Sequence, residues 1–308
     1  MKRLRIGIVG IGKIARDQHI PALHANPDYE LVGCASRSAR VDGVANYATL
    51  DAMLDGSSEL DAVTICTPPQ VHYDAAKLAL ARGKHVFLEK PPCATTGELD
   101  RLASFAHECG RTLYQSWHSR YAAGVETARS WLEGRRINAI RITWKEDVRH
   151  WHPGQTWIWE AGGFGVFDPG INAISILTTL VPEAIVVRRA HFFVPENCEA
   201  PIAADVDFVT DSGTPVTAAF DFRQTGPQSW DIDIETDGAT AKLAEGGARF
   251  FVDGKPVTIA ESDGEYPALY RNFAKLVAAE LSDVDTRPFR LVADAFLIAH
   301  HTRVERFD

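Results

Sequence analysis

A short apolar segment, residues 4–9, runs directly into Gly10-Ile11-Gly12-Lys13-Ile14-Ala15. Two glycines and a small residue at that spacing, between an apolar strand and a helical stretch, suit a strand–turn–helix unit. Gly10 permits the tight turn, Gly12 lets a ligand approach the backbone, and Ala15 lets the helix pack closely on the strand. The helix start then presents free N–H groups and a partial positive charge, which suit a pyrophosphate. A chain that begins this way is expected to build a parallel sheet and to lay a dinucleotide across its edge. A glycine turn of another α/β fold is the rival reading of the same residues.

The pattern continues in that sense. Segments 30–35, 61–66, 85–88 and 112–116 are short and rich in Ile and Val, as parallel strands buried on both faces are. Helical stretches 71–82 and 96–109 lie between them, each stopped by a glycine (Gly83, Gly110) of the kind that ends helices. Residues 1–120 therefore read as an N-terminal Rossmann domain, a doubly wound parallel sheet of the α/β class. Beyond residue 121 the texture changes. A helix at 124–133 and a strand at 139–147 lead to a loop dense in Trp and Gly, then to a helix at 169–180. Alternating segments at 184–194, 205–210, 215–222, 230–236 and 249–252 follow. The turn signals Asp211-Ser212-Gly213, Asp237-Gly238 and Asp253-Gly254 separate several of them, which predicts antiparallel hairpins. Helices at 266–281 and 289–304 close the chain. Residues 121–308 thus form an α+β domain with a mostly antiparallel open sheet, whose last helix is placed to pack back on the first domain.

Composition narrows the function classes. The 308 residues carry a net charge of −9 and no long basic stripe, which argues against nucleic acid as a partner. No apolar run approaches the roughly 18 residues that would span a bilayer, and no signal peptide is expected from Met1-Lys2-Arg3. The five cysteines form no Cys-x-x-Cys, so reduced thiols in a cytoplasmic protein are expected.

The second strand ends in Ala35-Ser36-Arg37, where a carboxylate would mark an NAD site. Ser36 and Arg37 can instead receive a 2′-phosphate, so NADP is the expected cofactor, with NAD accepted. Arg37 turned to solvent is the alternative. Thr67 and Pro68, in a rigid Thr67-Pro68-Pro69 loop, are expected near the nicotinamide, with His72 beyond them reading first as structural. Lys90 stands at a strand end in Glu89-Lys90-Pro91-Pro92, where such folds bind ligands. Asp168 and Asn172 are four apart and share a helix face. Asp168 before Pro169 reads equally as a helix cap or as an ionised general base beside a sugar hydroxyl. Four of the seven tryptophans fall between Trp144 and Trp159, among Glu146, His150 and His152. Flat aromatic faces beside carboxylates and imidazoles suit a pyranose, although a core or a subunit interface would also use them. No metal is expected, because ligands at tight spacing are lacking.

These motifs together resemble the Gfo/Idh/MocA oxidoreductase family over nearly the whole length. The carrying residues are Gly10-Ile11-Gly12-Lys13-Ile14-Ala15, Thr67-Pro68-Pro69 and Glu89-Lys90-Pro91. The stretches Trp144-Lys145-Glu146-Asp147-Val148, Trp151-His152-Pro153-Gly154-Gln155, Trp157-Ile158-Trp159-Glu160 and Asp168-Pro169-Gly170-Ile171-Asn172, with Ser282-Asp283-Val284-Asp285, look like those of its members that act on arabinose and galactose. The resemblance implies Lys90 and Asp168 at the reaction centre, a cis Lys90–Pro91 bond, and an open sheet that serves as a homodimer surface. Lys13, Ile14 and Glu89 join the expected cofactor-facing residues. His118, Glu146, Trp151, His152 and Trp230 join Asp168 and Asn172 as expected sugar-facing ones. Much of the family carries a histidine where this chain has Asn172, which shifts the base role to Asp168. The implied activity is oxidation of a galacto-configured pyranose (L-arabinose, D-galactose or D-fucose) at C1 to the lactone. A dehydrogenase of another polyol or dihydrodiol, or a non-catalytic dinucleotide sensor, are the rivals.

Overall fold

The computed structural model describes residues 3–57 and 59–308. The chain divides into two units. One runs up to Trp117 and takes in Asp263–Thr286; the other holds His118–Ser262 and Arg287–Asp308. The division therefore departs from a single cut at residue 120. The helix Glu265–Ala279 belongs to the first unit, and the last helix belongs to the second. Its apolar face explains this: Tyr270 and Phe273 pack on Phe87 of the first sheet.

The first unit is a parallel sheet of β1 (Leu4–Val9), β2 (Tyr29–Ala35), β3 (Ala45–Tyr47), β4 (Ala62–Ile65), β5 (His85–Leu88) and β6 (Leu113–Gln115). Their order is β3-β2-β1-β4-β5-β6, with every neighbouring pair parallel. The order reverses between β1 and β4, which opens a crevice beyond their carboxyl ends. Ile6, Ile8, Val63, Ile65, Val86 and Phe87 are fully buried, as a sheet covered on both faces requires. The short β3 escaped the sequence analysis because an edge strand needs no apolar run. The helix after Gly12 contains a π-helical turn, Ala15–His19, and its last residue, His19, is wholly buried.

His85, on β5, accepts the backbone N–H of Thr112 at Nδ1 (3.0 Å), so its ring is neutral in the fold. Burial, then the Arg111 charge, hold its pKa below the usual 6.5. Burial lowers the pKa of His72 as well. A depressed folded pKa means that the unfolded chain binds more protons. The stability from these rings is thus complete above pH 6.5 and is lost as pH falls below 6.5 through the folded pKa values. We expect Tm to fall as pH is lowered from about 7 to about 5, with a shallower fall for His85→Gln. An identical slope in the variant would remove His85 from the account.

The second unit is a sheet of β7 (Ile137–Lys145), β8 (Ile185–Pro195), β9 (Ala203–Thr210), β10 (Pro215–Asp221), β11 (Ser229–Thr236), β12 (Ala239–Ala244), β13 (Arg249–Val252), β14 (Lys255–Pro256) and β15 (His300–Val304). Its order is β14-β13-β12-β11-β7-β10-β9-β8-β15, with only β7/β10 and β8/β15 parallel. Ile140, Ile142, Phe220, Ile232 and Ile234 are buried on one face, packed under the helix Phe167–Leu180 and its neighbours. The alternate positions Arg141, Asp231 and Asp233 leave the opposite face polar, with Lys242 paired to Asp231 at 2.8 Å. The expected helix 289–304 is corrected here. It spans Arg287–Ile298, and His300–Val304 turns into a strand that pairs with β8. Five residues are too few to show a strand period, and the free edge of β8 decides their conformation. Among the described residues no helix is long and apolar enough to cross a membrane.

Candidate active site

The crevice of the first unit holds a cleft of about 330 Å³ lined by Gly10, Gly12, Ser36, Arg37, Thr67 and Pro68 among others. Gly10 has φ +87°, and a Cβ there would lie 2.9 Å from the Thr67 backbone N, so glycine is required on both counts. A Cβ at Gly12 would meet nothing within 4 Å. Thr67 Oγ1 is buried with no hydrogen-bond partner among the described residues. Ser36 Oγ accepts the N–H of Ala39 (3.2 Å), and Arg37 is exposed. Lys13 pairs with Asp17 one turn on, and Ile14 is half-buried beside it.

Behind this cleft lies a polar network that sequence reasoning missed. Glu89 is buried, and its Oε2 accepts the backbone N–H of Lys90 (2.7 Å). Its Oε1 accepts the hydroxyl of Tyr266 (2.9 Å) and faces His19 Nε2 (3.1 Å). His19 Nδ1 meets the Tyr270 hydroxyl at 2.7 Å, and that hydroxyl lies 3.1 Å from Thr64 Oγ1. Burial, then the Glu89 charge, raise the Tyr266 pKa well above 10, so its hydroxyl keeps the proton it donates. His72 is buried between the carbonyls of Pro92 (3.1 Å) and Thr67, tying one loop to the other. The Lys90–Pro91 peptide is cis.

The second unit assembles its own set. β7 ends at Lys145, and Glu146 follows with its backbone N–H bonded to Asp221 O (2.9 Å). Asp147 caps the next helical turn, accepting from Arg149 N (3.0 Å), and that turn delivers Trp151 and His152. The helix carrying Asp168 begins at Phe167, with Val166 as an N-cap that makes no side-chain bond. The cap reading of Asp168 is therefore corrected. Phe167 packs against Phe192, Phe220 and Phe296, which draws the first turn into the core and leaves Asp168 inside the helix. Gly165 precedes it at φ +51°, where a Cβ would lie 2.2 Å from Pro201 O.

Glu146 and Asp168 are only 4% and 3% exposed, and one imidazole stands between them. His152 Nε2 lies 2.9 Å from Glu146 Oε1, and Nδ1 lies 3.4 Å from Asp168 Oδ2. Trp230 donates its indole N–H to Glu146 Oε2 (2.9 Å) and meets Trp151 edge to face at 5.2 Å. Trp151 is 39% exposed, which leaves part of its ring open to a ligand. Five expected sugar-facing residues are thus joined in one constellation. Asn172 lies one helical turn beyond Asp168, half-buried. His118 sits on the turn His118–Tyr121, which packs on the same helix and is tied to it by Arg120 bonds to Ser175 O and Thr178 Oγ1. Trp144 and Trp117 lie in the cores of their own units.

The sequence model of the Gfo/Idh/MocA oxidoreductase family, described as an NAD-binding Rossmann fold, matches residues 4–116. Galactose 1-dehydrogenase of Pseudomonas fluorescens is 44% identical over 100% of this chain and 99% of its own. The chain belongs to the Gfo/Idh/MocA family. The crystal structure of the D-galactose-1-dehydrogenase protein of Rhizobium etli is 51% identical and superimposes with a TM-score of 0.95 over 100% of this chain and 99% of that one. A 3-ketoreductase of Actinomadura kijaniata, crystallised with NADP, shares only the fold, at 18% identity and a TM-score of 0.84 over 98% and 100% of the two chains. The residues of the first unit fit the nucleotide of such a family. The space beside Gly12 is a cradle that a side chain would fill, and Thr67 Oγ1 is a buried polar group still lacking a partner among the described residues.

Proposed function

We propose that the protein is an NADP-preferring aldose 1-dehydrogenase that oxidises galacto-configured pyranoses (D-galactose, L-arabinose, D-fucose) at C1 to the lactone. The observation that carries this reading is the full-length likeness to two galactose 1-dehydrogenases, at 44% and 51% identity. The buried Asp168, facing an imidazole whose other nitrogen meets the Trp230-bonded Glu146, agrees with it chemically.

Gly10, Gly12, Lys13 and Ile14 hold the pyrophosphate, Ser36 and Arg37 the adenosine 2′-phosphate. Thr67, Pro68, His72, Glu89 and Lys90 border the nicotinamide end. When bound, the nicotinamide supplies the hydride acceptor. Asp168 takes the proton of the sugar O1 hydroxyl, directly or through Asn172, and Lys90 is the first unit's catalytic residue, as the family resemblance implies. His118, Glu146, His152 and Trp230 border the sugar, and Trp151 covers its apolar ring face. A cytoplasmic setting goes with this reading, given five unpaired cysteines. So does a homodimer through the polar outer face of the nine-stranded sheet, which sedimentation at micromolar concentration checks.

The test is absorbance at 340 nm with NADP or NAD against D-galactose, L-arabinose, D-fucose, D-glucose and myo-inositol. Reduction with the galacto set and not with glucose is expected; none with any sugar would end the aldose reading. Arg37→Ala is expected to weaken NADP about tenfold or more, as loss of a charge-assisted phosphate contact does, with little change for NAD. Equal losses for both would mean that Arg37 only faces solvent.

A further inference from the structure

The second unit holds more acid–base machinery than one carboxylate needs. A sugar-binding role for His152 would leave its ring presented to ligand. Instead its two nitrogens are turned to two buried carboxylates, Glu146 at 2.9 Å and Asp168 at 3.4 Å. The shorter is an ordinary hydrogen bond, in which one tautomer of the ring donates Nε2–H to Glu146. In that tautomer the Nδ1 lone pair faces Asp168 Oδ2. Gln155 Oε1 stands at the same 3.4 Å from Nδ1, and an amide turned the other way would donate to that lone pair. Glu146 is held in turn by the Trp230 indole, and the His152 ring packs on Phe222 at 5.5 Å.

We propose that His152 carries away the proton that Asp168 takes from the sugar, with Glu146 as the counter-charge. This rests on the aldose 1-dehydrogenase reading. The O1–H bond breaks and its proton joins Asp168. The oxygen's electron pair forms the C1=O bond as the C1–H pair leaves as hydride to the oxidised dinucleotide. Asp168, now a carboxylic acid, faces a lone pair it can donate to and passes the proton to Nδ1. The imidazolium then lies between the two carboxylates, and its 13%-exposed ring gives the proton up to water, which returns His152 to the receptive form and leaves Asp168 ready for the next sugar. Glu146 therefore has two tasks: it orients the ring in the receptive tautomer and it stabilises the cation, the logic of a carboxylate behind a catalytic imidazole. His152 acts through Asp168 and is a proton-carrying residue rather than a sugar ligand.

The experiment compares wild type, His152→Ala, His152→Gln and Glu146→Gln for D-galactose oxidation at 340 nm. Sugar affinity is followed by tryptophan fluorescence of the cofactor-free protein, and Tm is recorded alongside. We expect kcat of both His152 variants to fall about 10²-fold, with sugar Kd within about threefold of wild type. Added imidazole should recover about tenfold in His152→Ala and nothing in His152→Gln, whose amide fills the space. Glu146→Gln should cost about tenfold in kcat. Three results would overturn the proposal: kcat of His152→Gln near that of wild type, a loss confined to sugar Kd, or no imidazole recovery at unchanged Tm. A wild type inactive on every aldose would remove the aldose reading and this inference together. An active wild type with unaffected variants would remove the inference alone.

Discussion

Asp168→Ala is expected to lower kcat for D-galactose by about 10²–10⁴-fold, the usual contribution of a positioned general base. Cofactor affinity should stay within about threefold. The size follows from placement. The carboxylate is buried in the first turn of the helix Phe167–Leu180, and it faces an imidazole. Because Val166 and not Asp168 occupies the cap position, the loss does not come from uncapping the helix. Asp168→Asn, which keeps the shape and removes the base, should behave like the alanine variant. Turnover near wild type in Asp168→Asn would leave Lys90 as the group that takes the sugar proton.

The largest expected effect on stability is at Glu89. Removing one partner of a buried, charged hydrogen-bond set costs about 3–5 kcal/mol, because the groups left behind lose their partner without regaining water. Glu89→Ala would deprive the Tyr266 hydroxyl, the Lys90 N–H and His19 Nε2 of their acceptor together. We expect Tm to drop on the order of 10 °C, measured by calorimetry without ligand. Glu89→Gln keeps an acceptor and should lose less than half of that. A Glu89→Ala protein within about 1 kcal/mol of wild type would mean that water enters and replaces the carboxylate.

Much of the architecture was legible because its signals are local. Gly10 and Gly12 declare a strand–turn–helix in six residues, and the apolar segments of the first sheet each declare themselves in four to seven. The start of the helix at Phe167 was not legible. Proline at the third helical position imitates proline at the first, and only the phenylalanine cluster around Phe167 settles the register. The strand His300–Val304 was missed for a similar reason: its conformation comes from the partner β8 and not from its own residues.

The candidate residues divide along the same line. The nucleotide cleft, Lys90, and the carboxylates and tryptophans of the second unit could be picked out from residue type and spacing, because turn chemistry and strand ends are properties of short segments. How those residues are wired could not. His152 meets Asp168 from sixteen positions away, Trp230 meets Glu146 from 84, and Tyr270 meets His19 from 251. Contacts at such separations leave no local period to read. Only the closing of each unit around its core decides which buried carboxylate gains which partner.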